Sequence, residues 1–377
     1  MKIAVLGVQP KYFIRPNNTD WRHNLFLENA FSKIIYPGNN SINFSLRNSA
    51  KACLAMNIRH LRGSLGRHLN YIKQSVSNYH NISLFMEDRI ERYDVVYSYG
   101  CYPNNSPKPV VWHTGPTYTH ILRQQKVKQL IIEDEIAIKA SCAKKAALIA
   151  VSSEIAAIDF DLQFPGHKDK IVVLPFVLPQ VNAENEDNIR KKQSMLPIKI
   201  LFVGRESHRK GLDLLLHAYQ RVKLITKEPI ELTIVSNFTD GKMSLPQLAD
   251  VKHHQSLDHK NIQILMREAH IFAMPSRQES FGLVYLEAMA GGSVCIGPAR
   301  EPQISLFGNG RYGLPCEVTT DGVFNALSKL VLDAKLREKI AIDSVRLFNA
   351  NYSIENVLLR YQEAFFKAAK TTKNLNS

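Results

Sequence analysis

The chain has no run of about 18 consecutive apolar residues, so no stretch of it reads as a membrane-spanning helix. Its five cysteines, Cys53, Cys101, Cys142, Cys295 and Cys316, never form a C-x-x-C pair. That argues against a zinc site and a disulfide framework, and Cys295, between Val294 and Ile296, reads as a small core residue. No G-x-G-x-x-G follows the first strand-like run, which disfavours a dehydrogenase. No D-x-D stands near a strand end. Acidic residues are the scarcer charge: 34 Asp and Glu against 48 Lys and Arg leave a net charge of +14. Such a balance admits an acidic partner, whether nucleic acid, an anionic membrane surface or a phosphorylated substrate. Nucleic acid is disfavoured, because neither a recognisable binding module nor aromatic-interleaved basic strands are present. The opening MKIAVLG reads as a strand rather than a signal peptide, so a cytoplasmic protein is expected, with peripheral contact at the inner face of a membrane left open.

What is present centres on Ala269 to Pro298, AHIFAMPSRQESFGLVYLEAMAGGSVCIGP. A short apolar run, Ile271 to Met274, reads as a buried strand stopped by Pro275. A polar loop follows, Ser276 to Ser280. Phe281-Gly282 then opens a helix of good formers that Gly291-Gly292 ends before the next strand. The loop and helix start therefore lie at the carboxyl end of a parallel strand, where open α/β sheets bind ligands. The amides of Phe281, Gly282 and Leu283 point out of the helix start, and together with the helix dipole they suit a phosphate. Gly282 is expected to let a ligand approach closely. Glu279 before the helix and Glu287 in its second turn flank this anion site as acceptors for hydroxyl groups. A ligand with both features is a sugar nucleotide.

Elsewhere, Lys2 to Gly7 reads as the first buried strand, with Gly7 at its carboxyl end. Asn57 to Lys73 is a basic amphipathic segment able to lie on an anionic membrane, or an ordinary packed segment with a charged face. Pro109 to Trp112 is strand-like and runs directly into His113 and a Thr-Gly-Pro turn. Gln180 to Pro197 is polar, mixed in charge and bounded by prolines, and reads as an interdomain linker. The second half opens with the strand Ile198 to Val203. Gly204-Arg205 and Lys210-Gly211 follow, in a basic loop before a helix with Leu212, Leu215, Leu216, Tyr219 and Val222 on one face. Two cations beside free amides can neutralise a pyrophosphate. Arg209 is a weaker third cation, and His253-His254 reads as a loop detail.

The block E-S-F-G-L-V-Y-L-E, followed by A-M-A-G-G and preceded by P-S, resembles the E-x7-E signature of retaining GT-B glycosyltransferases, most closely family 4 (group 1). The resemblance covers Ile198 to about Gly313 well and the first half only by pattern. It implies an α/β protein of the GT-B fold, two Rossmann-like domains facing across a cleft. Residues 1–179 would form the acceptor-side domain, 180–197 the linker and 198–350 the nucleotide-sugar domain. Residues 351–377 would be a helix crossing back, with a frayed tail. The implied catalytic set is Arg205 and Lys210 on the diphosphate, Glu279 on the sugar and His113 steadying it from the first domain. Gly7, Gly204, Ser280, Phe281, Gly282, Leu283 and Glu287 would bind the donor, Glu287 through the ribose.

No cofactor or metal is expected, the nucleotide-sugar being a substrate. The acceptor would be a glycan or lipid-linked glycan. Three departures from the family pattern are visible: no glycine pair follows Gly7, Pro175-Phe176-Val177 stands where relatives carry Pro-Asn-Gly, and Ser236-Asn237-Phe238 stands where family members usually have glycines. A sugar phosphorylase or nucleotide-sugar epimerase of the same fold, and a non-catalytic sugar-nucleotide binding protein, remain alternatives.

Overall fold

Every strand pairing among the described residues is parallel. Strands covered on both faces read as near-continuous apolar runs, and the interior of VVYSY, VVWH and IKILFV is buried accordingly. The computed structural model describes residues 3–7, 93–99, 102, 106–115, 129–178, 181–237, 249–279 and 281–373. The amphipathic segment Asn57 to Lys73 and Ser280 lie outside these residues. The chain divides into two compact units, Met1–Pro179 with Leu358–Ser377, and Gln180–Val357.

In the first unit the elements run β1 (Ile3–Gly7), β2 (Val95–Tyr99), β3 (Val110–His113), α1 (Gln129–Lys145), β4 (Leu148–Val151), α2 (Glu154–Gln163) and β5 (Ile171–Val173). The strands lie side by side in sequence order in a five-stranded sheet. Trp112, Phe160 and Phe164 fill the core beside Ile149 and Val151. Ser153 starts α2 by accepting from the Ala156 amide at 3.2 Å, the usual use of a serine cap.

The second unit begins earlier than the sequence implied. Gln180 to Pro197 is not simply a linker, because α3 (Glu186–Gln193) folds within it and packs on the second unit. Asn185 caps this helix by accepting from Asn188 N at 2.8 Å, and Ile189 is fully buried. Gln193 meets Arg337 through two bonds, at 2.9 and 3.0 Å. So short a helix shows only two inward side chains, too few for a visible period amid its charges.

There follow β6 (Ile198–Val203), α4 (Leu212–Ile225), β7 (Ile230–Val235), β8 (Val251–His254), α5 (His259–Glu268), β9 (Ile271–Ala273) and α6 (Leu283–Ala290). Then come β10 (Val294–Pro298), α7 (Gln303–Leu306), β11 (Leu314–Cys316), α8 (Thr320–Leu332) and α9 (Ala334–Asn351). His253-His254 therefore ends a strand rather than lying in a loop, and His253 Nε2 sits 2.7 Å from the Ser236 carbonyl. The six strands stand in the order β11-β10-β9-β6-β7-β8. Counted from β6, that is the doubly wound Rossmann order.

The last helix, α10 (Ile354–Lys373), starts in the second unit, and from Leu358 its residues group with the first. There Tyr361 and Phe365 stand edge-on to Tyr97 at 5.7 and 5.8 Å, and Tyr361 donates to the Pro175 carbonyl at 3.3 Å.

Candidate active site

In the second sheet β6 and β9 are neighbours, pairing Ile200 with Ile271 and Leu201 with Phe272. The strand order reverses between them, so the chains leaving their carboxyl ends diverge and open a crevice. From β6 the chain enters Gly204 to Gly211, and from β9 it enters Pro275 to Glu279. Both loops end in a helix whose cap glycine has a left-handed backbone, Gly211 (φ 78°) before α4 and Gly282 (φ 79°) before α6.

Each of these glycines is fixed by what touches it. A Cβ on Gly211 would lie 2.2 Å from the Pro275 carbonyl, so the loop after β9 rests directly on the mouth of α4. At Gly282 a Cβ would fall 2.5 Å from the ring of Tyr285 and 3.2 Å from Glu279 Cγ. Tyr285 and Glu279 thus already require a glycine at position 282. Tyr285 itself is buried and donates to the Met274 carbonyl. Burial, with the charge of Glu279, raises its hydroxyl well above the usual phenol range.

The two loops meet at one ion pair, Lys210 Nζ with Glu279 Oε2, both side chains largely enclosed. A Cβ on Gly204 would sit 2.9 Å from Lys210 Cγ, which leaves the lysine stem lying over the end of β6. The structure therefore places Gly204, Lys210, Glu279 and Gly282 in one contiguous group. The lysine that the sequence offered as an anion clamp and the glutamate it offered as a sugar acceptor face one another. Arg205 lies exposed in the same loop. Beside the pair, the amides of Gly282 and Leu283 have no acceptor among the described residues. Phe281 is buried, and its carbonyl accepts from Gln303 at 3.0 Å.

A frame of arginines holds the loops together. Arg277 grips Asp213, in the first turn of α4, through two parallel bonds of 2.7 and 2.6 Å. The Arg277 amide donates to the Arg209 carbonyl at 2.8 Å, and Arg300 donates to the Arg277 carbonyl at 2.7 Å. Arg209 is not a spare cation: it binds Glu206 at 2.7 Å and the Gln278 carbonyl at 2.8 Å. Burial alone would raise the Asp213 carboxyl, but the bonds and charge of Arg277 outweigh it and hold the group below its ordinary range. Sequence reasoning missed this Arg277–Asp213 brace. The one available signal was an acid in the first turn of α4, a position where the helix dipole alone would favour it.

Glu287 belongs to a different neighbourhood. Its carboxylate is largely enclosed and lies 3.5 Å from His259 Nε2, at the first turn of α5, with Gln263 Nε2 at 3.5 Å from the same nitrogen. Nothing in the local pattern of His259 set it apart. In the first unit, Gly7, Tyr99 and His113 stand in register at the carboxyl ends of β1, β2 and β3. His113 is fully buried, 2.7 Å from the Tyr97 hydroxyl and stacked on Phe176 at 5.5 Å.

Two parallel, Rossmann-like units in one chain, the second with its polar group at the switch point, are the GT-B fold. The Anabaena HepE protein, solved in complex with UDP and glucose, shares this fold at a TM-score of 0.59 and 15% identity, over 96% of this chain and 99% of that one. Residues 184–344, within the second unit, match the family model of glycosyl transferases group 1. The chain is 24% identical to the lipopolysaccharide 1,2-N-acetylglucosaminetransferase of Salmonella typhimurium over 67% of this chain and 71% of the relative. It is 28% identical to the D-inositol 3-phosphate glycosyltransferase of Stackebrandtia nassauensis over 60% of this chain, and spans 56% of that relative's length.

Proposed function

We propose that this protein is a retaining glycosyltransferase, moving a sugar from a nucleotide-sugar donor to a glycan or lipid-linked glycan acceptor without a metal ion. The observation that carries the reading is the Lys210–Glu279 pair beside the amides of Gly282 and Leu283, which have no acceptor among the described residues, at the switch point of a Rossmann-ordered sheet. A diphosphate entering there competes with Glu279 for the lysine and meets amides already aimed outward, at the positive end of α6. Glu279, released from its partner, is then an acceptor for the sugar hydroxyls.

Arg205 and Lys210 stabilise the charge that grows on the diphosphate as its bond to the anomeric carbon breaks. The acceptor oxygen bonds that carbon on the same face, and the departing phosphate takes the acceptor's proton. Glu287 accepts from the ribose. The names of the two relatives, both sugar transferases, support the reaction class.

Incubation with a panel of UDP-, GDP- and ADP-sugars, scored for transfer and hydrolysis, tests the proposal. Transfer to an added glycan from one donor, with the anomeric configuration kept, is expected. Sugar release that requires inorganic phosphate would make it a phosphorylase. Epimerisation of the donor, or binding without turnover, would also contradict the reading.

A further inference from the structure

The end of the second unit opposite the candidate site carries an apolar surface that neither the fold nor the proposed reaction explains. Met195, Leu196, Leu224, Ile225 and Leu332 are between 50% and 86% exposed, and the only other exposed large hydrophobic residue described in this unit is Ile264. All five sit on turns at the amino ends of the strands: the approach to β6, the end of α4 and the end of α8. These turns are fastened to one another. Ile198 N donates to the Pro229 carbonyl at 2.8 Å, tying the approach to β6 to the turn after α4. Arg337 donates to the Leu330 carbonyl at 2.6 Å and the Gln193 carbonyl at 3.0 Å, tying the end of α8 to the end of α3. The apolar side chains therefore stand on one rigid rim rather than on separate loops.

Their charged neighbours decide the partner. Lys191, Lys227, Lys329 and Lys335 are exposed on the same turns and have no carboxylate in ion-pair reach among the described residues. The acids beside them are Asp187, Glu228, Asp333 and Glu338; Asp333 caps α9 by accepting from Leu336 N at 2.9 Å, and Glu338 pairs with Arg190 at 2.8 Å. A homodimer core excludes unpaired lysines, and a protein hot spot favours aromatic and arginine anchors that this rim lacks. Aliphatic side chains amid lysines, whose long stems keep the charge in water, suit the boundary between headgroups and acyl chains of an anionic bilayer.

We infer that this rim of the second unit, Met195, Leu196, Leu224, Ile225 and Leu332 with their four lysines, is a docking surface for an anionic lipid membrane. The aliphatic groups enter the interface while Lys191, Lys227, Lys329 and Lys335 meet lipid phosphates. This holds or fails independently of the sugar donor, since no residue of the rim belongs to the candidate active site.

Flotation of the full chain with vesicles of phosphatidylcholine, with and without phosphatidylglycerol, tests the inference. Binding only to the anionic vesicles is expected, weakened about tenfold in the double variant Leu224→Ser with Leu332→Ser and again in Lys227→Glu with Lys335→Glu. All four positions are exposed, and thermal melting confirms that the variants fold. In a Leu224→Trp variant, indole emission should shift to the blue when anionic vesicles are added. Absence of vesicle binding by the unaltered chain would overturn the inference. So would equal binding by the serine double variant, which would move the contact elsewhere on the protein. Self-association that disappears in that variant, with no vesicle effect, would replace the membrane with a second copy of the chain.

Discussion

The two ends of the second sheet hold their least exposed cations in opposite ways, although Lys199 at the amino end does pair with Glu268 at 3.0 Å. At the carboxyl end, Lys210 faces Glu279, Arg277 faces Asp213 and Arg209 faces Glu206, each cation balanced by a carboxylate. At the amino end, Arg337 is almost wholly buried, yet it bonds the carbonyls of Leu330, Val331 and Gln193 and the Gln193 amide oxygen. Lys192 there donates to the Gly291 carbonyl at 2.8 Å, and burial pushes its ammonium down to about 7. A carboxylate can leave a cation when an anionic ligand offers a better contact. A helix-end carbonyl cannot leave without unwinding the helix. The first arrangement suits exchange, and the second suits a fixed support.

The sharpest contrast comes from deleting one cation at each end. Lys210→Ala should lower turnover about a thousandfold, in line with loss of a group that stabilises developing charge. The largely enclosed Glu279 then loses its partner, so the melting temperature should fall as well, and turnover is compared per folded molecule. Steady-state rates with the active donor and a thermal melt of the same sample check both halves. Arg337→Leu should act on stability alone, costing about 3 to 4 kcal/mol by urea unfolding, since several buried acceptors lose their donor at once. Its turnover per folded molecule should stay close to that of the unaltered protein. A large activity loss without destabilisation in Arg337→Leu would erase the distinction between the ends.

Gly211→Ala tests whether the carboxyl end depends on backbone fit as well as charge. The new methyl would meet the Pro275 carbonyl at 2.2 Å, in a backbone conformation that L-residues resist. Chemical denaturation should show a loss of about 3 kcal/mol. The smallest effect separates the ends by pH. His270 at the amino end sits 3.1 Å from Lys199 N and 3.1 Å from the Met195 carbonyl, and burial with the nearby Arg337 and Lys192 lowers it from 6.5 to about 4. The unfolded chain takes up a proton near pH 6.5 and the folded chain only near 4. Stability is therefore full above 6.5 and drains as pH falls between those values, by about 2 kcal/mol at pH 5. His270→Gln should flatten this slope in urea titrations at pH 7 and 5. The Asp213 carboxyl, already held below its ordinary 3.8, contributes nothing to that window and is lost only at still lower pH.

The architecture was legible where chemistry is local. The strand, loop and helix from Ile271 to Ala290 could be read because an apolar run, a proline, good helix formers and a glycine pair follow one another directly. Lys210 and Glu279 each stood out on their own, but their pairing did not. They are far apart in sequence, and only the adjacency of β6 and β9 brings them together. Ile189 and Gln193 could not announce α3 within a charged stretch bounded by prolines. His259 acquires meaning only when α5 is laid beside α6. At Gly282 the ring of Tyr285, three residues on, adds a steric reason for glycine that the local sequence does not announce.

The central claim is that the loops after β6 and β9 grip a nucleoside diphosphate, and calorimetric titration of UDP, GDP and ADP into the unaltered chain and into Arg205→Ala with Lys210→Ala tests it most directly. One of the three nucleotides should bind the unaltered chain, and the double variant should bind it at least about thirtyfold more weakly. Equal affinity for that nucleotide in both proteins would contradict the claim.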